Sequence, residues 1–380
     1  MAITRRALAV GGLSMFLGAC AVIPKGAQTS GPVETTPTPT PSATGLPADQ
    51  ERHRVALLVP TTGTNGAVGQ SIANASTMAL LDTNASNLRI TTYDTAGGAR
   101  AAAQKAVSDG NEIILGPLMG DNVSQVLSVA RPANLPVIAF SNDTEAASID
   151  AFLMGQMPEQ SIARSVEYAR DKGSQSFAIL APEGEYGARA AAALRTAVAT
   201  HGGRVSGSET YARGNTSVVS AARRLRGRGG YDSVLLADGP RLAEQGAAEL
   251  RAPGIQLIGT ELWSGDPSVA RSNALSGAIF SAVSDSRYKR FSDSYSARFG
   301  GAPYRISTLG YDAVLLTLNI ARDWKPGRPF PLDKLRDTGG FLGLDGAFRF
   351  GRDGIVERAM EVREVRNGSV TVVDQAPSRF

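Results

Sequence analysis

Three glycines punctuate residues 55–72, VALLVPTTGTNGAVGQSI, at Gly63, Gly66 and Gly69, where an apolar run breaks and a helix-like pattern resumes. Glycine-rich turns between a strand and a helix hold phosphates, so nucleotide chemistry is the first to test. A dinucleotide turn needs G-x-G-x-x-G, and the position two after Gly63 is Asn65. The other phosphate cradle, G-x-x-x-x-G-K-[ST], needs a loop lysine, and none lies between Lys25 and Lys105. The alternative is a turn whose glycines let the backbone enter a helix without strain. Catalytic groups are scarce elsewhere. His53 precedes the opening apolar run and His201 adjoins Gly202-Gly203, which reads as a surface placement for both. No G-x-S-x-G, H-E-x-x-H or cysteine cluster occurs, so neither a catalytic residue, a metal site nor a cofactor is expected.

The N-terminus speaks to compartment. MAITRRALAVGGLSMFLGAC has a basic start at Arg5 and Arg6, a short apolar stretch and Leu17-Gly18-Ala19-Cys20. The stretch is too short to span a bilayer. Its last four residues resemble a bacterial lipobox, which implies cleavage before Cys20, lipidation there and export. Cys20 is the only cysteine, so no internal disulfide can form. Several acyl chains hold a protein where one would not. The resemblance therefore implies a lipid-anchored periplasmic protein, and Ala21, which is not aspartate, points to the outer membrane. The Arg5-Arg6 pair leaves Sec and twin-arginine export both open.

Residues 21–50 are Pro, Thr, Ser and Gly with little to bury, so they cannot offset the entropy of ordering and read as a disordered spacer. In a polyproline-like form about thirty residues reach on the order of 90 Å. The remainder is long enough for two cores. The formal net charge of +4 falls by two when Arg5 and Arg6 leave with the signal peptide, so the sequence pI of 9.3 does not argue for nucleic acid. Arg223, Arg224, Arg226 and Arg228 cluster on one helix, as a solvated face or as a docking patch for an acidic partner.

Apolar runs of strand length, VALLVP, LRITTYD, EIILGP, LPVIAF, FAILAP, SVLLADG, IQLIGT and GAIFSAV, are each closed by Gly, Pro or Asp. Such runs are strands buried on both faces. Helical spacing fills 99–108, 122–130, 161–172, 187–201, 218–226 and 241–250, so repeated βα units predict parallel sheets with helices on both faces. Helices are also expected at 288–299 and 306–322. At the end, Val362 to Val365 faces Val370 to Val373 across Asn367-Gly368, a β-hairpin signature.

In this order the segments VALLVPTTGTNGAVGQSIANA, EIILGPLMGDNVSQVLSVARPANLPVIAFSND, FAILAPEGEYGARAAAALRTAVATHGGRV and YSARFGGAPYRISTLGYDAVLLTLNIAR resemble the type 1 periplasmic-binding fold of the leucine/isoleucine/valine-binding type, over 53–374. The fold class implied is α/β and two-lobed, each lobe a mostly parallel sheet flanked by helices. The boundaries expected are a signal peptide at 1–19, the lipidated cysteine and tether at 20–52, a first lobe from 53–158 and 284–338, a second from 159–283 and 339–374, and a tail at 375–380. The lipobox, the tether and the ending FLGLDGAFRFGRDGIVERAMEVREVRNGSVTVVD further resemble a short form of the penicillin-binding-protein activator lipoproteins.

The resemblance puts the glycine turn at the rim of an interlobe cleft, with Thr62, Asn65 and Gly66 as cleft candidates. In the second lobe Tyr186 of GEYG matches a ligand-contacting tyrosine and Glu261 of IGTELW the acid that holds an ammonium, while Asp238 ends a neighbouring strand. Packing between lobes, a solvated strand-end acid, and a core or hinge contact for Trp263 are the plainer readings. In the first lobe, Met119-Gly120 stands where the family places a serine, and the next loop offers Ser141, Asn142 and Asp143. An aspartate there would repel a ligand carboxylate. The function implied is a non-enzymatic lipoprotein that activates a penicillin-binding protein in peptidoglycan synthesis. The alternative is the substrate-binding protein of an ABC importer for amino acids or a related small solute. The partners implied are that synthase, a small amino-acid-like ligand and a membrane reached through the lipid alone.

Overall fold

The computed structural model describes residues 51–214 and 216–380. Cys20, the signal peptide and nearly all of the tether lie outside the described residues.

The first lobe is built on strands β1 (His53–Val59), β2 (Leu88–Asp94), β3 (Ile113–Leu115), β4 (Val137–Ala139) and β5 (Ala151–Leu153), in the spatial order β2-β1-β3-β4-β5 and all parallel. Val55 to Val59 is buried without a break, because helices cover both faces of the sheet. Those helices are α1 (Gly66–Asp82), α2 (Ala99–Ser108) and α3 (Val123–Ala130).

The second lobe repeats the scheme with β6 (Ser176–Pro182), β7 (Arg204–Tyr211), β8 (Ser233–Leu236), β9 (Gln256–Ile258) and β10 (Ile279–Ala282), parallel throughout. Its helices are α4 (Pro158–Asp171), α5 (Glu185–His201), α6 (Ser217–Arg228), α7 (Pro240–Leu250) and the short α8 (Pro267–Arg271). Two apolar clusters form its core. One joins Ala178, Leu180, Leu225, Leu236 and Trp263, the other Phe177, Ile179, Leu194 and Ile258. Alternate residues of β6 thus point to opposite faces, as the two-residue period of a strand requires. The chain then returns to the first lobe as α9 (Tyr288–Phe299) and α10 (Thr308–Ile320). There Met78 packs with Phe291 and Tyr295, and a Cβ on Gly310 would lie 2.7 Å from Ile72, which fixes how closely α1 and α10 approach.

The glycine turn has a counterpart. A Cβ on Gly69 would sit 1.8 Å from the Pro60 carbonyl oxygen, and one on Gly187 would sit 1.8 Å from that of Pro182. Each lobe thus starts a helix so close beneath its leading strand that only glycine fits.

The C-terminal region departs from the sequence expectation. Residues 341–358 form a three-stranded antiparallel sheet, β11 (Phe341–Gly343), β12 (Gly346–Phe350) and β13 (Val356–Arg358), and not part of the second lobe as the 339–374 assignment held. Phe348, Phe350 and Val356 belong to the first-lobe core, with Phe350 edge-on to Phe152 at 5.1 Å. Alternating Phe348 and Phe350 signal one buried face, but not which core receives it. Only β14 (Glu361–Arg366) and β15 (Ser369–Asp374) join the second sheet, β14 antiparallel to β10. Their turn holds Asn367 at φ 52° and Gly368 at φ 75°, the left-handed pair that an Asn-Gly hairpin requires.

His53 is also corrected. It is 2% exposed, lies stacked 3.6 Å from Trp324, and its Nε2 is 2.9 Å from the Trp324 carbonyl oxygen.

Candidate functional site

The chain crosses between lobes after β5, after β10 and between β13 and β14. Between the lobes lies a cavity of about 310 Å³. Its first-lobe wall carries Ser141 and Asn142, just beyond the carboxyl end of β4, together with Leu118, Phe140, Arg305 and Ile306. Gln156 comes from the first crossover, and Glu261, Leu262 and Ser264 follow β9 in the second lobe. Parallel strands deliver loops of this kind to one edge of a sheet, where open α/β folds take their ligands.

Glu261 is 6% exposed, which removes the solvated strand-end reading. Its Oε1 accepts from the Tyr186 hydroxyl at 3.1 Å, and that hydroxyl lies 3.0 Å from Thr260 Oγ1. Oε2 has no hydrogen-bond partner. Burial pushes the Glu261 carboxyl up to about 7, because its charged form loses hydration that one tyrosine does not replace. Burial raises the Tyr186 hydroxyl as well, with the Glu261 charge adding to it. Beside them Trp263 is buried against Phe280, its Nε1 donating to the Asp238 carbonyl at 2.9 Å. A Cβ on Gly259 would lie 2.4 Å from that indole, so the sequence IGTELW places a glycine where the ring must pass.

Opposite stands Arg305, in the turn before α10. It meets Asp345 at 2.8 Å, Asp285 at 3.2 Å and Thr308 Oγ1 at 3.0 Å, and its guanidinium lies over the Tyr288 ring at 4.5 Å. Its Nε is buried with no partner. Asp285 also binds Arg363 of β14, which in turn pairs with Glu361 at 2.7 Å and donates to Ser264 Oγ at 3.4 Å. Beneath, Asp312 accepts from the Leu344 and Asp345 amides at 2.5 and 3.3 Å. Burial, then the Asp345 charge, pushes Asp312 up to about 7.

Of the sequence candidates, Ser141, Asn142 and Glu261 line the cavity together. Tyr186 reaches it only through Glu261. Gly120 backs Ser141, since an added Cβ would lie 3.3 Å from Ser141 Oγ and 3.0 Å from Asp143 Cβ. The other candidates do not line it, and each has a local reason. The Asp143 carboxylate caps the following turn through the Glu145 amide at 3.1 Å, while its own amide donates to Ser141 Oγ. Thr62 donates to Asp94 at 2.5 Å, and that hydroxyl, with turn amides, holds Asp94 down to about 2. Asn65 contacts Met119 Sδ at 3.6 Å, and the Gly66 amide donates to the Gly63 carbonyl. Asp238 is saturated by Tyr211, both arms of Arg213 and the Gly239 amide.

Arg305, Gln156 and Ser264 went unmarked in the sequence, as did the apolar wall. In APYRIS the only hint is a single cation just ahead of an apolar helix. The Arg223 to Arg228 cluster is committed to two acids, Glu249 with Arg223 and Arg226, Glu209 with Arg224 and Arg228, at 2.7 to 3.1 Å. Among the described residues no group of three His, Cys, Asp or Glu side chains could hold a metal ion, and no helix is long and apolar enough to cross a membrane.

Two βα lobes closing on one cavity define a two-lobed ligand-binding protein. The chain belongs to the periplasmic binding protein family, whose model matches residues 53–369. Membership implies an extracytoplasmic location. An uncharacterized protein of Rickettsia prowazekii, RP748, is 26% identical over 179 residues, 47% of this chain; the chain spans about half the length of that curated relative, 48%. Among solved structures, one described as a branched-chain amino acid ABC transporter protein from Rhodospirillum rubrum superposes with a TM-score of 0.75 at 22% identity, covering 85% of this chain and 100% of that one. LivJ of Streptococcus pneumoniae, in complex with isoleucine, gives 0.63 at 19% identity over 86% and 100%. A solute-binding protein from R. palustris, in complex with benzoate, gives 0.64 at 17% over 87% and 97%. These likenesses concern the fold.

Proposed function

We propose that the chain is a non-enzymatic solute receptor that takes a small, partly apolar molecule between its lobes, in the manner of the binding component of an ABC importer. The observation that supports this most is the pairing of Arg305 and Glu261 from opposite lobes on one cavity, with Leu118, Phe140, Leu262 and Ile306 supplying apolar wall. Sites for small molecules have this composition, apolar with a few polar groups that fix orientation. Relatives of the same fold hold isoleucine and benzoate. Thermal unfolding against a panel of amino acids, carboxylates and amides tests the reading. A ligand at 100 times its dissociation constant stabilises the folded chain by about 2.7 kcal/mol; no shift with any compound would count against it.

A second reading, activation of a penicillin-binding protein at the membrane, is supported by the C-terminal ending and the lipobox. Its residues 341–374 fold as an added sheet and a hairpin. A pull-down against bifunctional synthases, with transglycosylase and transpeptidase rates, separates it from the first. The anchor has its own test, since Cys20→Ala should move the protein from the membrane fraction to the soluble one.

A further inference from the structure

The sheet β11–β13 is held by both lobes. Toward the first, Phe348, Phe350 and Val356 enter the core, and the Leu153 amide at the end of β5 donates to the Gly354 carbonyl at 2.8 Å. Toward the second, Gln160 of α4 lies along the outer edge of β13. Its Oε1 accepts from the Arg358 amide at 3.0 Å, and its Nε2 donates to the Val356 carbonyl at 2.5 Å. Ala359 turns the other way, its amide donating to the Ala347 carbonyl of β12. Val356 and Arg358 thus present to Gln160 the groups that an edge strand offers to a neighbour, and one side-chain amide fills the place of that neighbour's peptide.

A second contact comes from the tail. β15 ends at Asp374, which Arg164 of α4 holds at 2.5 Å, so this end belongs to the second lobe. Six residues on, Phe380 lies on the added sheet, with the Arg349 guanidinium 4.6 Å from its ring centre. Gly340 leaves the ring its place, since a Cβ there would lie 3.1 Å from Phe380 Cδ2. Six residues reach at most about 20 Å, so while Phe380 is seated the end of β15 stays within that distance of it.

We propose that this sheet is a brake on movement between the lobes, with Gln160 and Phe380 as its two releasable grips. The inference rests on the fold alone and holds whatever the cavity takes. The main-chain crossings keep the lobes joined, but a crossing can bend at a few backbone angles. A planar amide matched to a strand edge and a ring seated on a sheet fix orientation as well. Both grips face water in part, Gln160 half-buried and Phe380 38% exposed. Their groups therefore hydrate on release, and each grip opens at modest cost.

The test is double electron–electron resonance on the full chain in a Cys20→Ala background, with spin labels at Gln104→Cys on α2 and Ser220→Cys on α6, both exposed. Gln160→Met keeps the side-chain length and loses both hydrogen bonds, while Phe380→Ala loses the ring. Each should broaden the interlobe distance distribution, the released arrangement becoming about tenfold more populated, as for the loss of one or two net hydrogen bonds or a part-buried ring. Hydrogen exchange gives a reading that local packing would not move. In Phe380→Ala, which leaves Gln160 in place, the Arg358 amide should exchange about tenfold faster, because the two grips hold one sheet. Phe380→Ala carries both measurements should Gln160→Met not fold. Native distances in the variants, or unchanged exchange at Arg358 in Phe380→Ala, overturns the brake even where the melting temperature falls.

Discussion

Arg305 of the first lobe and Arg363 of the second grip the two oxygens of one carboxylate, Asp285, which sits in the crossover between β10 and α9. Asp285→Asn removes the charge they share and leaves two guanidinium groups close together. Breaking a fully buried pair costs about 3–5 kcal/mol. Asp285 is 33% exposed, so about 2 kcal/mol is expected here after screening by water. Urea unfolding of the variant at low and high salt checks this. An unchanged midpoint at both would show that the shared carboxylate contributes nothing.

Tyr186→Phe removes the hydroxyl that donates to Glu261 Oε1. The loss should cost about 1 kcal/mol of stability. Because that hydrogen bond favours the ionised carboxylate, its removal should raise the Glu261 pKa further above about 7. Carbon-detected NMR of the glutamate carboxyls through a pH titration reads the shift directly, and a fall in the value would contradict the geometry.

Stability should depend on pH through Glu261 and Asp312. Both bind their proton more tightly in the folded chain than in the unfolded one. Their contribution is complete below the ordinary carboxylate pKa of about 4 and is lost as pH rises through about 7. In Glu261→Gln one of the two terms is gone, so the decline in unfolding midpoint between about pH 5 and about pH 8 should be shallower than in the native chain. A parallel decline would place Glu261 outside the linkage.

Gly69→Ala and Gly187→Ala should each disrupt the lobe that contains them. A methyl group 1.8 Å from a backbone carbonyl oxygen forces the leading strand and its helix apart. Overpacking of this kind costs about 3 kcal/mol or more. Circular dichroism melting of both variants, beside Gly97→Ala where a methyl group meets nothing within 4 Å, separates crowding from the general effect of losing a glycine. Equal melting of all three would remove the argument.

Much of the fold could be read because its signals are local. Continuous apolar runs such as VALLV and FAILA give buried parallel strands, and Asn367-Gly368 fixes the last hairpin whatever surrounds it. Of the cleft candidates read from the sequence, those where a loop leaves a strand end, Ser141, Asn142 and Glu261, line the cavity. Arg305 was not legible, because its partners Asp285 and Asp345 lie 20 residues before and 40 after it, and only folding makes one group of them. His53 was misplaced for the same reason, since the ring that covers it, Trp324, is 271 positions away. Thr62 and Asp238 failed as wall residues because each was a polar group at the right edge whose bonds are taken by its own lobe.

The third passage between lobes consists of Ala359 and Met360 alone, both buried, with Arg358 before them fastened to the Met154 carbonyl at 2.7 Å. So short and buried a strap leaves its two ends little freedom to separate. A cut or an inserted loop at Ala359–Met360 would relax the shortest of the three ties between the lobes while leaving the other two, and every cavity side chain, in the molecule.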